Sequence, residues 1–276
     1  MKRKTVIRYA LAAAILALVF AGCAQKPDVQ EPTAPVQQLP TEATEPVTEA
    51  PTEEPTEPPT EPPTDPPTEP EVVVPEELAL MLENRGLTVE ALSERECTQL
   101  ITVASSGKYC QLRYYSYENY AWICNEELSC SGFVGRNGAS DNKREGDGKT
   151  PAGLFGVSDA FYMYDAPETG LDMFEITRDT YWVDDPDSRY YNTRVEGTEN
   201  KDWDSAEHMI DYNPAYLYGF VIDYNPEAVY NMGSAIFFHV STGGGTAGCV
   251  STGQHYVLQY LALLDKNCNP QILIDG

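Results

Sequence analysis

Beyond residue 97, apolar residues come either in alternation with polar ones or in short unbroken runs, and both patterns belong to strands. Gln99-Leu-Ile-Thr-Val103, Cys110-Gln-Leu-Arg-Tyr-Tyr115, Tyr120-Ala-Trp-Ile-Cys124, Tyr218-Gly-Phe-Val-Ile-Asp223 and Ala235 to Val240 are β-branched or aromatic and bounded by turn residues. The second and third of these predict a hairpin. A further strand is expected around Leu154-Phe-Gly-Val157. Helical spacing is confined to Pro75 to Arg85, Thr88 to Glu96, and His255 to Asp265. Before the last of these, Ser251-Thr-Gly-Gln254 has the S-x-x-Q form of a capping box, which places Cys249 just ahead of a helix N-terminus. Asp159 to Asn213 is rich in Tyr, Asp and Asn with little periodicity, and is expected to cover the side that carries the chemistry. The pattern predicts a mainly β domain with a few helices, over residues 97–276, preceded by a short helical lead-in at 73–96.

The N-terminal pattern is of another kind. Lys2, Arg3, Lys4 and Arg8 precede an apolar run from Tyr9 to Ala21, the length of a secretory h-region and short for a bilayer span. Val19-Phe-Ala-Gly-Cys23 ends it and resembles a bacterial lipobox, so residues 1–23 read as a signal peptide with Cys23 as the lipid attachment point; a plain signal-peptidase site is the alternative. Between Pro27 and Pro75 lie 15 of the 21 prolines, and Pro-Thr-acidic triplets begin at residues 51, 55, 59, 63 and 67. Such a coreless segment, residues 24–72, is expected to be a disordered, extended stalk rising about 3.1 Å per residue.

Charge narrows the partners. Residues 1–27 carry five basic groups and no acids, and residues 28–71 twelve acids and no bases, so of the net −25 the remainder keeps −18. A basic footprint is missing, which excludes nucleic-acid binding as a main function. With Cys23 assigned to lipid and Cys249 to catalysis, five of the seven cysteines remain; Cys110 with Cys124 is one possible cross-link of the hairpin, although spacing does not fix connectivity. Three histidines and no C-x-x-C pair argue against zinc, and no metal or cofactor is expected.

The candidate chemistry lies in Ala235-Ile-Phe-Phe-His239-Val-Ser-Thr-Gly-Gly-Gly-Thr-Ala-Gly-Cys249-Val-Ser251, where an imidazole and a thiol flank one glycine-rich turn. A thiol with an ordinary pKa near ~8.5 is mostly protonated at neutral pH, and a neighbouring imidazole can take its proton. A buried structural Cys beside a core His is the competing reading of these residues alone. Arg144-Glu-Gly-Asp-Gly-Lys-Thr150 imitates the end of a phosphate-binding loop, but Lys143 stands where that loop needs glycine. A calcium loop from Asp141 fails because its twelfth position is Ala152.

These residues resemble the L,D-transpeptidase (YkuD-like) catalytic domain, a sandwich-type β fold that cross-links bacterial peptidoglycan through a cysteine acyl-enzyme. Gly135-Arg-Asn-Gly138 and Gly146-Asp-Gly-Lys-Thr-Pro-Ala-Gly-Leu-Phe155 resemble the family's upstream signatures, and Thr246-Ala-Gly-Cys249-Val-Ser251 its nucleophile motif. His239 falls where the family has its general base. Two departures stand out: Ala247 occupies the place of a second histidine, and the His-to-Cys interval is short. The resemblance implies Cys249 as nucleophile, His239 as base, Val240 carbonyl or Ser241 hydroxyl as its orienting partner, and N–H groups near Gly248 and Cys249 for the oxyanion. His208 and Tyr218 fall in stretches resembling substrate-proximal segments, while His255, Arg144 and Arg194 read as solvated. The implied partners are peptidoglycan stem peptides and, through the lipid, the membrane, with the protein monomeric at the cell envelope. Trimming of tetrapeptide stems as an L,D-carboxypeptidase, and wall binding without turnover, remain the alternatives.

Overall fold

The computed structural model describes residues 71–276; the expected signal peptide, Cys23 and the Pro-Thr-acidic repeat lie outside the described residues. Leu78, Met81 and Leu82 recur at helical spacing and form the buried stripe of α1 (Glu76–Asn84), after which Gly86 adopts the left-handed conformation that ends helices. A second helix, α2 (Glu90–Ser93), is shorter than its pattern suggested and buries only Leu92.

The strands follow in chain order as β1 (Gln99–Ser106), β2 (Tyr109–Glu118), β3 (Ala121–Phe133), β4 (Ala139–Ser140), β5 (Thr150–Pro151), β6 (Gly153–Tyr162) and β7 (Met173–Glu175). Three short ones come next, β8 (Thr180–Val183), β9 (Arg194–Glu196) and β10 (Ala206–His208). The last group is β11 (Tyr218–Ile222), β12 (Phe237–Val240), β13 (Val250–Thr252), then helix α3 (Gln254–Leu263) and β14 (Gln271–Asp275).

Nine strands make one ladder in the order β11-β12-β13-β3-β2-β1-β14-β6-β7. Its two halves are joined by β6, which pairs with β14 through Gly153 to Gly156 and with β11 through Val157 to Tyr162, so the ladder closes on itself and only β7 is left outside the ring. The domain is therefore mainly β, of sandwich type, with short helices. Alternation along β1 sends Leu100 toward α1 and α2, where it meets Tyr115, Trp122 and Leu273, and sends Ile101 and Val103 into the central core with Phe220, Phe238, Tyr260 and Ile272. The lead-in helices thus cover one outer face. On the far side of β11 and β12 a separate cluster holds Phe161, Trp182, Tyr216, Phe237 and Cys249.

That second cluster is roofed by the small sheet β10-β8-β9, built entirely from the Tyr- and Asp-rich stretch that lacked periodicity. Strands of three or four residues are too short to print a period. The Cys110–Cys124 cross-link that the hairpin would have allowed does not form: Cys110 pairs across the hairpin with Gly132 and Cys124 with Tyr115, so the strand register separates the two. All six cysteines among the described residues are thiols.

Candidate active site

Parallel pairing of β12 and β13 sets His239 directly beside Ser251. On β12, Phe238 and Val240 point into the central core, which leaves Phe237 and His239 on the opposite face, toward the small sheet. Cys249 precedes β13 and turns its thiol to that same face. Both residues are buried, and both line a cavity of about 280 Å³.

The imidazole Nδ1 lies 2.9 Å from the Val240 carbonyl, which can only accept, so the proton sits on Nδ1 and Nε2 keeps its lone pair. Burial lowers the His239 pKa to about 4 against the favourable backbone bond. The Cys249 thiol donates to the Ala235 carbonyl at 3.2 Å and accepts from the Phe237 N–H at 3.3 Å. Burial, with the Glu207 charge adding to it, pushes this thiol up to about 12, opposed by the Phe237 N–H and by Lys143. The resting pair is consequently a neutral thiol and a neutral imidazole. Ala235, whose carbonyl holds the thiol, has a left-handed backbone (φ 52°) and is pinned by its N–H to Asn192 Oδ1 at 3.0 Å.

Hydroxyls stitch the turn before Cys249 to the upstream glycine segments. Thr246 Oγ1 donates to the Cys249 carbonyl at 2.6 Å and accepts from the Gly248 N–H at 3.1 Å. Thr150 Oγ1, fully buried, accepts from the Gly135 N–H at 2.7 Å and donates to the Cys249 carbonyl at 3.3 Å. Gly135 has to be glycine because an added Cβ would collide with the Gly148 carbonyl. Asp147 closes the loop, accepting from Lys143 Nζ, Arg144 N and Lys149 N at 2.7–2.8 Å. The three glycine- and threonine-bearing segments thus form one support under the cysteine.

The family model for the L,D-transpeptidase catalytic domain, YkuD, matches residues 108–272, more than half of the chain. The chain belongs to the YkuD family. Among curated proteins none matches it. The YkuD domain is also similar to two crystal structures of the helical cell shape determining protein Pgp2 from Campylobacter jejuni, one of them a mutant, at 16% and 17% identity with TM-scores of 0.39 and 0.37. Those matches cover 65% of this chain and 48% and 47% of the Pgp2 chains, so the chain spans about half their length. Membership sets the functional class as that of the L,D-transpeptidase family.

Within the YkuD domain, the residues named from sequence fall into two groups. Cys249, His239 and Gly248 share the cavity. Val240 is beside it, with its carbonyl on His239, whereas the Ser241 hydroxyl accepts from the Gly243 N–H at 3.1 Å. Tyr218 opens β11 and packs against the central core. His208 faces away from the cavity, bonded to Asp211 and to the Arg178 carbonyl and stacked on Tyr181. His255 is exposed on α3, and Arg194 lies over the Phe174 ring. The capping box is corrected: Ser251 and Thr252 belong to β13, and Gly253 caps α3 without a side-chain bond. A strand therefore intervenes between Cys249 and the helix, at ~3.3 Å per residue, and the helix dipole does not explain the thiol's environment. Sequence reasoning missed Glu207 and Tyr216, which line the cavity and share a 2.6 Å bond from Tyr216 hydroxyl to Glu207 Oε2. The signal was one letter away, since Glu207 precedes the histidine that was named.

Proposed function

We propose that this protein is a peptidoglycan L,D-transpeptidase that works through a Cys249 acyl-enzyme outside the cytoplasm. The observation that carries the reading is the shared cavity, with a thiol and an imidazole whose Nε2 is left unprotonated by the Val240 bond. Because both groups rest neutral, the thiol proton moves to His239 only as sulfur attacks, in general-base fashion. The sulfur adds to the carbonyl that follows the L-centre of a stem's third residue, forming a C–S bond. His239 then protonates the departing amine of the terminal D-residue as the C–N bond breaks. Gly248 N–H is occupied by Thr246, so the Cys249 N–H is the donor assigned to the oxyanion. An amine of a neighbouring stem takes the acyl group and completes a direct cross-link, whereas water in its place gives L,D-carboxypeptidase activity.

A second reading, wall binding without turnover, draws on the thiol's bond to Ala235 rather than to His239 and on Ala247 in place of a second histidine. Intact-mass analysis of the domain with a carbapenem separates the two. The wild type is expected to gain one covalent adduct that Cys249→Ala lacks, and His239→Ala is expected to acylate about 100-fold more slowly. Muropeptide turnover that survived Cys249→Ala would reject the assignment.

A further inference from the structure

Transfer of an acyl group to an amine involves more protons than transfer to water. The acceptor arrives as an ammonium, with an ordinary pKa near ~10.4, and must lose one proton before it can attack and a second when the tetrahedral intermediate collapses. His239 delivers one of these to the departing sulfur. The other needs a second base.

Three carboxyl groups face the cavity, Glu145, Asp184 and Glu207. Glu145 Oε2 is already engaged by Tyr191 hydroxyl at 2.6 Å and Ser234 hydroxyl at 2.7 Å. Asp184 Oδ1 is buried without a partner. Glu207 projects from β10 with Oε2 on the Tyr216 hydroxyl, and the Tyr216 ring meets His239 edge-on at 5.4 Å. One aromatic side chain therefore links the carboxyl to the imidazole. The Ser251 hydroxyl, only 1% exposed and beside His239 in register, also has no partner and lines the same cavity. Orphaned polar atoms lining one cavity are those a hydrogen-bonding ligand would satisfy.

We infer that Glu207 is the base that deprotonates the acceptor ammonium, and so the residue that favours amine over water; this rests on the acyl-enzyme reading above. The ammonium gives one proton to the Glu207 carboxylate, with Asp184 Oδ1 accepting a further N–H. The neutral amine adds to the thioester carbonyl, forming C–N. On collapse C–S breaks, the remaining excess proton passes through His239 to sulfur, and Glu207 returns its proton to solvent. Thioester and ammonium become amide, thiol and one free proton. Burial raises the Glu207 pKa to about 7, with Asp184 and Glu145 adding to it against the Tyr216 bond, a value suited to taking and releasing a proton near neutrality. The other charged or titratable groups lining the same cavity are Arg136, Lys143, Tyr212, His239 and Cys249.

The test compares two acceptors on the same acyl-enzyme: Nα-acetyl-lysine, protonated at neutral pH, and hydroxylamine, already neutral there. In Glu207→Gln the ratio of lysine transfer to hydroxylamine transfer is expected to fall at least tenfold at pH 7 and to recover as pH rises, because the acceptor then deprotonates unaided. Tyr216→Phe, which removes a donor to the carboxylate, should move the lysine-transfer profile to higher pH. A ratio unchanged in Glu207→Gln overturns the inference. Failure of the wild type to form any Cys249 adduct would overturn the acyl-enzyme reading itself and this assignment with it.

Discussion

Burial acts in opposite senses on the titrating side chains of the cavity. It raises Cys249 and Glu207 and lowers His239, because in each case it disfavours the charged form. The stability consequences also run in opposite directions. Glu207 holds its proton in the folded chain up to about pH 7 but from an ordinary 4.5 when unfolded, so its full stabilising contribution is present below pH 4.5 and disappears as pH rises through 7. His239, lowered from 6.5 to about 4, is the reverse, stabilising above pH 6.5 and losing that as pH falls toward 4. Glu207→Gln is therefore expected to raise the melting temperature at pH 8 by roughly 4–8 °C, equivalent to about 2 kcal/mol, with the gain vanishing near pH 4.5. Melts of both proteins across that range check it; a gain that did not depend on pH would mean the carboxyl is not strained by its charge. That Cys249 and His239 would share one site was legible in the sequence because a strand, a glycine turn and a cysteine lie within one short stretch. Glu207 was not. Which of two adjacent residues faces inward depends on pairing with Tyr181 and Trp182, a non-local fact that three residues of sequence do not encode.

At the scale of elements, α1, β1, β2, β11 and β12 were readable from their apolar alternation or runs, β3 and β6 only in their first residues, and β8 to β10 and the terminal β14 not at all. Ser251 shows how local chemistry misleads: its spacing from Gln254 fits a cap, yet pairing of β13 with β12 and β3 holds it extended. That pairing depends on Gly132, opposite Thr252 on β3, where an added Cβ would collide with the Ser251 carbonyl and press on Leu112. Gly132→Ala is expected to cost about 2–3 kcal/mol, a fall of roughly 5–10 °C in melting temperature, and to slow carbapenem acylation at least tenfold by displacing the strand behind Cys249. Normal acylation in a destabilised variant would show that β13 does not set the thiol's position.

For the whole molecule, α1 and α2 pack on the sheet, and we propose that the catalytic unit begins at about residue 73 and that what precedes it sets reach and not chemistry. A fragment of residues 73–276 should match the full chain on soluble muropeptides, and Cys23→Ser should move the protein from the membrane fraction to the surrounding fluid. Loss of rate on removing residues 28–70, measured with a small substrate, would contradict that division. The closed ladder bears on how a stem peptide can be held. Many peptide-binding folds recruit an extended ligand as one more strand, reading its main chain through a free sheet edge. Here the strands that flank Cys249 in the site, β12 and β13, have neighbours on both sides, so among the described residues no such edge is offered beside Cys249. On the proposed function, recognition of a stem peptide would then fall to side chains and turns, which suits a ligand whose D-residue cannot follow the regular pleat of an L-residue strand.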